Sequence, residues 1–72
     1  MQAKDAERIR TRLLVLDEAL SVEEFRNYPG FRFHPLKGDR QYLYAITVRA
    51  NWRITFEFRD GDAYLLNLED YH

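Results

Sequence analysis

Three small groups of polar side chains in this sequence have the residue types needed for acid–base or phosphate chemistry. His34 and Lys37 lie three residues apart. Arg49 and Arg53 flank a short turn between two segments in which apolar and polar residues alternate. The chain ends with Glu69, Asp70, Tyr71 and His72. These groups are our candidates for a functional site, and the remaining elements would have to bring them together.

Neither metal chemistry nor a phosphate-binding glycine loop fits these groups. A metal site needs three or four convergent ligands. The sequence has no cysteine and only two histidines, and it lacks the His-Glu-x-x-His spacing of a metal-binding helix. Its three glycines are scattered. Ser21 is the expected cap of a short helix, which argues against a serine nucleophile. We therefore expect a site with no metal and no cofactor.

The candidate groups match the requirements of metal-free RNA cleavage. That reaction needs a base for the 2′-hydroxyl proton, an acid for the leaving oxygen and cations for the phosphorane charge. Histidine suits the first two tasks near neutral pH, and arginine can hold phosphate oxygens bidentately. Tyr71 could stack on a base. The structural alternative is that His34 ends a strand, the arginines are solvated and His72 is a frayed terminus.

Charge is unevenly distributed along the chain, although the formal net charge is −1. The first 31 residues have a net charge of −1, residues 32–53 have +4, and the remainder has −4. A local basic zone can bind phosphate even when the whole protein is near neutral. Arg40, Arg49 and Arg53 are therefore candidate RNA contacts, unless they only decorate a solvated face.

The pattern of apolar residues predicts one α+β domain over residues 1–72. Two N-terminal helices are expected to pack on one face of an antiparallel meander sheet of three or four strands. The helices are predicted over residues 4–20 and 22–27, the second after a capping box at Ser21. The strands are predicted over residues 31–34, 42–49, 52–59 and 63–69.

The hairpin within residues 46–58 is the centre of this arrangement. It turns at Ala50-Asn51, and a second tight turn is predicted at Asp60-Gly61. Strict alternation would place Arg49 and Arg53 together on a polar face. The opposite, apolar face would consist of Trp52, Ile54, Phe56 and Phe58. The first helix should cover that face with a stripe of Ala6, Ile9, Leu13, Leu16 and Leu20.

Four ordered motifs resemble the HigB-type toxins of the RelE/ParE superfamily, also called plasmid maintenance system killer proteins. The motifs are H-P-L-K-G-D-R at residues 34–40, I-T-V-R-A-N-W-R-I-T-F at 46–56, G-D-A-Y at 61–64 and E-D-Y-H at 69–72. The resemblance implies a RelE/ParE-like fold. It also implies a type II toxin that binds the translating ribosome and cuts mRNA in the A site without metal.

The resemblance assigns roles to residues by their position. His34 and Lys37 match loop residues of the family's active site, and Arg53 matches a sheet arginine expected to contact phosphate. Arg49 corresponds less closely to a family position. The family's C-terminal catalytic run is matched by Asp70, Tyr71 and His72.

The resemblance also implies a partner, a HigA-like helix-turn-helix antitoxin that represses the operon. Family members begin with a strand and a helix before the region matched by residues 4–20, and this sequence has neither. Their absence would leave apolar area near Ile54 and Phe56 uncovered. We therefore expect a homo-oligomer, most simply a two-fold dimer, or a chain that needs its antitoxin to fold. No apolar segment approaches the roughly 20 residues of a membrane span, so we expect a cytoplasmic protein.

Three functions compete at this point. The leading one is a ribosome-dependent mRNA endonuclease that inhibits translation. The alternative is a truncated, inactive toxin-like module that binds a HigA-type antitoxin and modulates repression of the operon. A third is a ParE-like protein that acts on gyrase, against which the candidate catalytic groups argue.

Overall fold

The computed structural model describes residues 3–70 and has an α-helix packed on an antiparallel sheet, as the α+β prediction required. Helix α1 is Ala3–Glu18. The sheet has the order β1-β2-β3-β4. Its strands are His34–Pro35, Tyr44–Arg49, Trp52–Arg59 and Asp62–Asp70, numbered β1 to β4. Within the described chain, no helix is long and apolar enough to cross a membrane.

The second predicted helix is not an α-helix. Val22–Asn27 forms a 3₁₀ helix, and two further 3₁₀ helices are Pro29–Phe31 and Gly38–Arg40. The amide of Glu24 donates to the carbonyl of Ser21 at 3.3 Å, the three-residue spacing of a 3₁₀ turn. The Glu24 carboxylate accepts from the Ser21 amide at 3.0 Å, which is one half of the predicted capping box. The prediction of two N-terminal helices is therefore confirmed as an α-helix only for the first, because Val22–Asn27 is held by hydrogen bonds of three-residue spacing.

Helix α1 packs with a face that differs from the predicted stripe. Leu16 and Ala19 are buried, but Ala6 is exposed and Leu13 is 39% exposed. The helix ends at Glu18, so Leu20 lies outside it and is 81% exposed. The stripe is confirmed at Leu16 and partly at Ile9, which packs against the core, but not at its other three positions, because polar residues that pair with the sheet occupy part of the packed face.

Arg12 is one of these polar residues on the packed face of α1. Its Nε donates to the carbonyl oxygen of Thr47 at 2.7 Å, and its guanidinium lies 4.6 Å from the centre of the Phe31 ring. Burial, and then the nearby charge of Arg8, lower the pKa of Arg12 from its ordinary value. A long arginine side chain can thus cover apolar surface while its charged end is hydrogen-bonded.

The hydrophobic core lies between α1, the 3₁₀ segment and the sheet. Ile54 and Phe56 are 2% and 0% exposed, so the expectation that they would be uncovered is wrong. Phe25 of the 3₁₀ segment covers this part of the sheet: its ring stands edge-on to the ring of Phe56, with centroids 5.4 Å apart. The other buried apolar residues of this cluster are Leu16, Ala19, Phe31, Ile46 and Val48.

The sheet aligns residues of successive strands into rows. His34 pairs with Ala45, which pairs with Thr55, which pairs with Asn67. In the next row, Thr47 pairs with Arg53 and Arg53 pairs with Glu69. Because directly paired residues point to the same face, each row belongs to one side of the sheet.

The turn between β3 and β4 has the predicted conformation. Asp60 and Gly61 both have positive φ, 51° and 81°. Such values match the two-residue hairpin turn that Asp-Gly favours, and glycine adopts them without steric cost.

Candidate active site

Two of the predicted site residues on the sheet, His34 and Arg53, lie on the face opposite α1. Arg53 neighbours Ile54, which is buried in the core, so the alternation of the strand directs Arg53 to the other side. The row that contains His34 lies on the same side as the row that contains Arg53. The two rows are separated by about 7 Å along the strands, and β1 and β3 by about 10 Å across the sheet. We call this surface the site face.

His34 begins β1, and its ring orientation is set by the backbone just before it. The Nδ1 of His34 lies 2.8 Å from the carbonyl oxygen of Arg32. A carbonyl oxygen only accepts hydrogen bonds, so in the neutral ring Nδ1 carries the proton and Nε2 carries the lone pair. Arg32 has a left-handed backbone, with φ 48° and ψ 45°. This geometry leaves Nε2 as the nitrogen that would accept a proton.

The loop after β1 carries Lys37 and Arg40. Lys37 is exposed and precedes the 3₁₀ helix Gly38–Arg40. The amide of Leu36 donates to the carbonyl of Leu43 at 2.9 Å and closes the loop. The loop therefore holds Lys37 and Arg40 close to the start of β2.

Glu69 joins Arg40 to Arg53. Its Oε2 accepts from Nη2 of Arg40 at 2.6 Å, and its Oε1 accepts from Nε of Arg53 at 3.0 Å and from Nη2 of the same residue. Hydrogen bonds from Arg40, and then from Arg53, hold the pKa of the Glu69 carboxyl below its ordinary value. The three side chains form one cluster, which links the loop, β3 and β4.

Arg49 does not share the site face with Arg53, so the prediction that placed them together is wrong. The register shifts between Thr47 and Arg49, because Val48 is an extra residue opposite Trp52. A β-bulge of this kind redirects the side chain that follows it. Arg49 is turned to the α1 side of the sheet.

On that side, Nε of Arg49 donates to Oδ1 of Asp5 at 2.7 Å. The Asp5 side chain is 3% exposed and also accepts from Arg8 at 3.1 Å. This hydrogen bond, together with the negative charge of Asp5, raises the pKa of Arg49. Arg49 therefore anchors the first turn of α1, and we leave it out of the proposed RNA surface.

The predicted C-terminal catalytic run is only partly described. Asp70 is exposed and pairs in register with Trp52 at the end of β4. Tyr71 and His72 lie outside the described residues. Because β4 brings Glu69 beside Arg53, the strand that leads to Tyr71 and His72 ends next to the arginine cluster. No group of three His, Asp or Glu side chains that could hold a metal ion occurs in residues 3–70.

Comparison with known proteins agrees with this architecture. Residues 1–72 match the model of the HigB-like toxin family, described as the RelE-like toxin of the type II toxin–antitoxin system HigB. The chain belongs to the HigB-like toxin family. It is also similar to a curated relative, Endoribonuclease HigB of Proteus vulgaris, with 56% identity over 70 residues. That alignment covers 97% of this chain and 75% of the relative.

For this HigB-like toxin, the resemblance drawn from the four sequence motifs is confirmed, and family membership implies an antitoxin partner. The functional residue that sequence reasoning misses is Glu69, because residue types alone assign no role to this member of the terminal run. Its position beside Arg53 depends on a register shift opposite Thr55–Glu57, where β4 has one extra residue between Tyr64 and Asn67. Period-two alternation alone did not reveal that shift.

Proposed function

We propose that this HigB-like toxin is an mRNA endonuclease that cuts on the ribosome without a metal ion and so inhibits translation. The observation that carries the proposal is the common site face of His34 and the Arg40–Glu69–Arg53 cluster. A base and phosphate-binding cations thus lie on one side of the sheet, the side that α1 does not cover. The name of the 56% identical relative, an endoribonuclease, supports the same activity.

In the proposed reaction, Nε2 of His34 takes the proton of the ribose 2′-hydroxyl. The 2′-oxygen attacks the adjacent phosphorus, and the bond from phosphorus to the 5′-oxygen breaks. Lys37 and Arg53 stabilise the negative charge that develops on the phosphorane. His72 donates a proton to the departing 5′-oxygen, with Asp70 and Tyr71 beside it in the chain. Proton transfers by two histidines account for every step, so the mechanism needs no metal ion.

The first prediction tests the two histidines. His34→Ala and His72→Ala should each lower the cleavage rate by about 10²–10⁴-fold, because each removes one proton transfer. Primer extension on an mRNA in a purified translation system, with and without the chain, locates the A-site cut and measures the rate. Added EDTA at a concentration that ribosomes tolerate should leave the rate unchanged.

Wild-type rates in both variants would contradict the assignment. If the wild-type chain does not cut but binds the antitoxin, the alternative of an inactive toxin-like module that modulates repression would replace the nuclease. The ParE-like alternative predicts inhibition of gyrase supercoiling instead, which the same preparations can test.

We further propose that the antitoxin is a HigA-like helix-turn-helix protein and that the toxin acts in the cytoplasm, where ribosomes and mRNA are found. The implied antitoxin partner follows from the family. Co-expression of the chain with a HigA-like helix-turn-helix protein, followed by gel filtration, tests whether the two form a complex.

A further inference from the structure

We propose that Glu69 is a positioning residue for RNA cleavage, which holds Arg40 and Arg53 together so that both face the RNA backbone. The inference rests on the proposed nuclease function and assigns a role to a residue outside the predicted catalytic set. It follows from the contacts, burial and charge of the cluster.

Glu69 contacts both arginines at once, with a separate oxygen for each. Oε2 accepts from Arg40 at 2.6 Å, and Oε1 accepts from Arg53 at 3.0 Å. The two arginines therefore do not compete for the same carboxylate oxygen. Without the carboxylate, two like-charged guanidinium groups this close would repel each other. Glu69 therefore determines that the two cations lie side by side.

Burial shows which partner depends most on Glu69. The Arg53 side chain is 12% exposed, so the sheet itself restricts it. The Arg40 side chain is 43% exposed and belongs to a loop, where a free arginine would adopt many rotamers. The bond to Glu69, which is 22% exposed, holds Arg40 in one orientation and ties its loop to β4.

The same bond connects the two ends of the proposed catalytic machinery. Arg40 lies three residues after Lys37 in the loop, and Glu69 immediately precedes Asp70 in β4. The cluster of two arginines and one carboxylate keeps a formal charge of +1, so it still attracts phosphate. Loss of Glu69 should therefore disturb both the cations and the alignment of the loop with the C-terminal residues.

The opposite role is also chemically conceivable, since a carboxylate beside two arginines can occupy the place of a phosphate. In that case its removal would strengthen RNA binding and speed cleavage. A positioning role predicts slower cleavage with little change in binding. The two roles are thus separated by whether removal of the Glu69 carboxylate slows or speeds cleavage.

The test is single-turnover cleavage of a ribosome-bound mRNA by the full chain. Glu69→Ala should lower the rate at saturating ribosome by about 10²-fold, the size expected for misplaced catalytic groups. Adding Glu69→Ala to the combined changes Arg40→Ala and Arg53→Ala should slow cleavage no further than those two changes alone, because Glu69 acts through both arginines. Glu69→Gln, which retains one acceptor oxygen, should fall between wild type and Glu69→Ala.

Glu57→Ala is the matched control. Glu57 lies on the same sheet face, its side chain is 18% exposed, and it pairs with Arg59 at the far end of β3. We expect a wild-type rate for this variant. Circular dichroism melts establish that each variant is folded, and Glu69→Gln replaces Glu69→Ala if the latter does not fold.

A wild-type or faster rate in the Glu69 variants would overturn the inference, as would a further loss when Glu69→Ala is added to the combined Arg40→Ala and Arg53→Ala changes. If the wild-type chain itself does not cleave, the proposed function fails and this inference fails with it. Cleavage by wild type with unaffected Glu69 variants would overturn the inference alone.

Discussion

At the residue scale, Glu69 is the carboxylate whose protonation links this site to pH. Its pKa is lowered in the folded protein, mainly by the hydrogen bond from Arg40 and next by the hydrogen bonds from Arg53. The unfolded chain has the ordinary glutamate pKa of about 4.3. Since the folded pKa is the lower one, Glu69 stabilises the fold fully above about pH 4.3, and the contribution is lost as pH falls through the folded pKa.

We therefore predict that Glu69→Gln destabilises the protein near pH 7 by about 1 kcal/mol, the upper range for partly exposed pairs. The difference from wild type should shrink as the pH is lowered below about 4.3. Urea unfolding followed by circular dichroism at pH 7, 4 and 3 measures it. Glu23→Gln, at an exposed pair with Arg26, is the control and should match wild type at each pH. A difference that is constant across this range would contradict the prediction.

At the element scale, α1 is attached to the β2–β3 hairpin by polar bonds as well as by apolar packing. Asp5 accepts from Arg49 beside the bulge, and Arg12 donates to the backbone of Thr47. Asp5 is 2% exposed, so the cations around it must compensate its carboxylate for the loss of contact with water. These bonds set the rotation of α1 about its axis, which is why its buried face differs from the predicted apolar stripe.

Asp5→Asn should destabilise the protein by about 2 kcal/mol, because a hydrogen bond between charged groups is weakened in a buried place. Arg49→Ala should also destabilise the protein, which is seen as a lower urea concentration at the midpoint of unfolding. Both variants should cleave RNA at the wild-type rate while folded, since Arg49 lies away from the site face. Urea titration and primer extension on the same preparations check this.

Slow cleavage by Arg49→Ala with an unchanged urea midpoint would be the contrary result. It would restore Arg49 as an RNA contact.

At the scale of the whole molecule, the core is covered, but apolar side chains remain exposed at the β4 edge of the sheet. Strand β4 is the last strand of the sheet within residues 3–70, so one of its edges has no neighbouring strand there. Leu66 and Leu68 of β4 are 49% and 38% exposed, and Leu66 lines a cavity together with Leu13 of α1. An open strand edge with apolar side chains favours association with another chain.

We therefore predict that the isolated chain self-associates, most simply as a two-fold dimer, or folds fully only with its antitoxin. Leu68→Lys should shift the mass measured by light scattering toward the monomer, because it places a charge at the open edge. Leu14→Lys is the control, since Leu14 is 57% exposed and α1 directs it away from its buried residues Asp5 and Leu16. A monodisperse wild-type monomer with a protected sheet in amide exchange would contradict the prediction.

The sequence by itself determined the α+β class, the meander and both hairpin turns. Each of these depends on local patterns, such as alternating apolar residues and the Asp60-Gly61 pair. It also determined the family through four ordered motifs, and it singled out His34 and Lys37. These features are present in the folded protein because each depends on residues that are close together in the sequence.

Only the tertiary structure decided which face Arg49 occupies and which residue of β4 lies beside Arg53. From the Asp60-Gly61 turn, an uninterrupted register would pair Arg53 with Leu68, but the shift between Thr55 and Glu57 pairs it with Glu69. The bulge at Val48 likewise sends Arg49 to α1. A slip of one residue reverses the face of every later side chain. Where such a slip occurs is set by the packing of the entire sheet against α1 and Phe25.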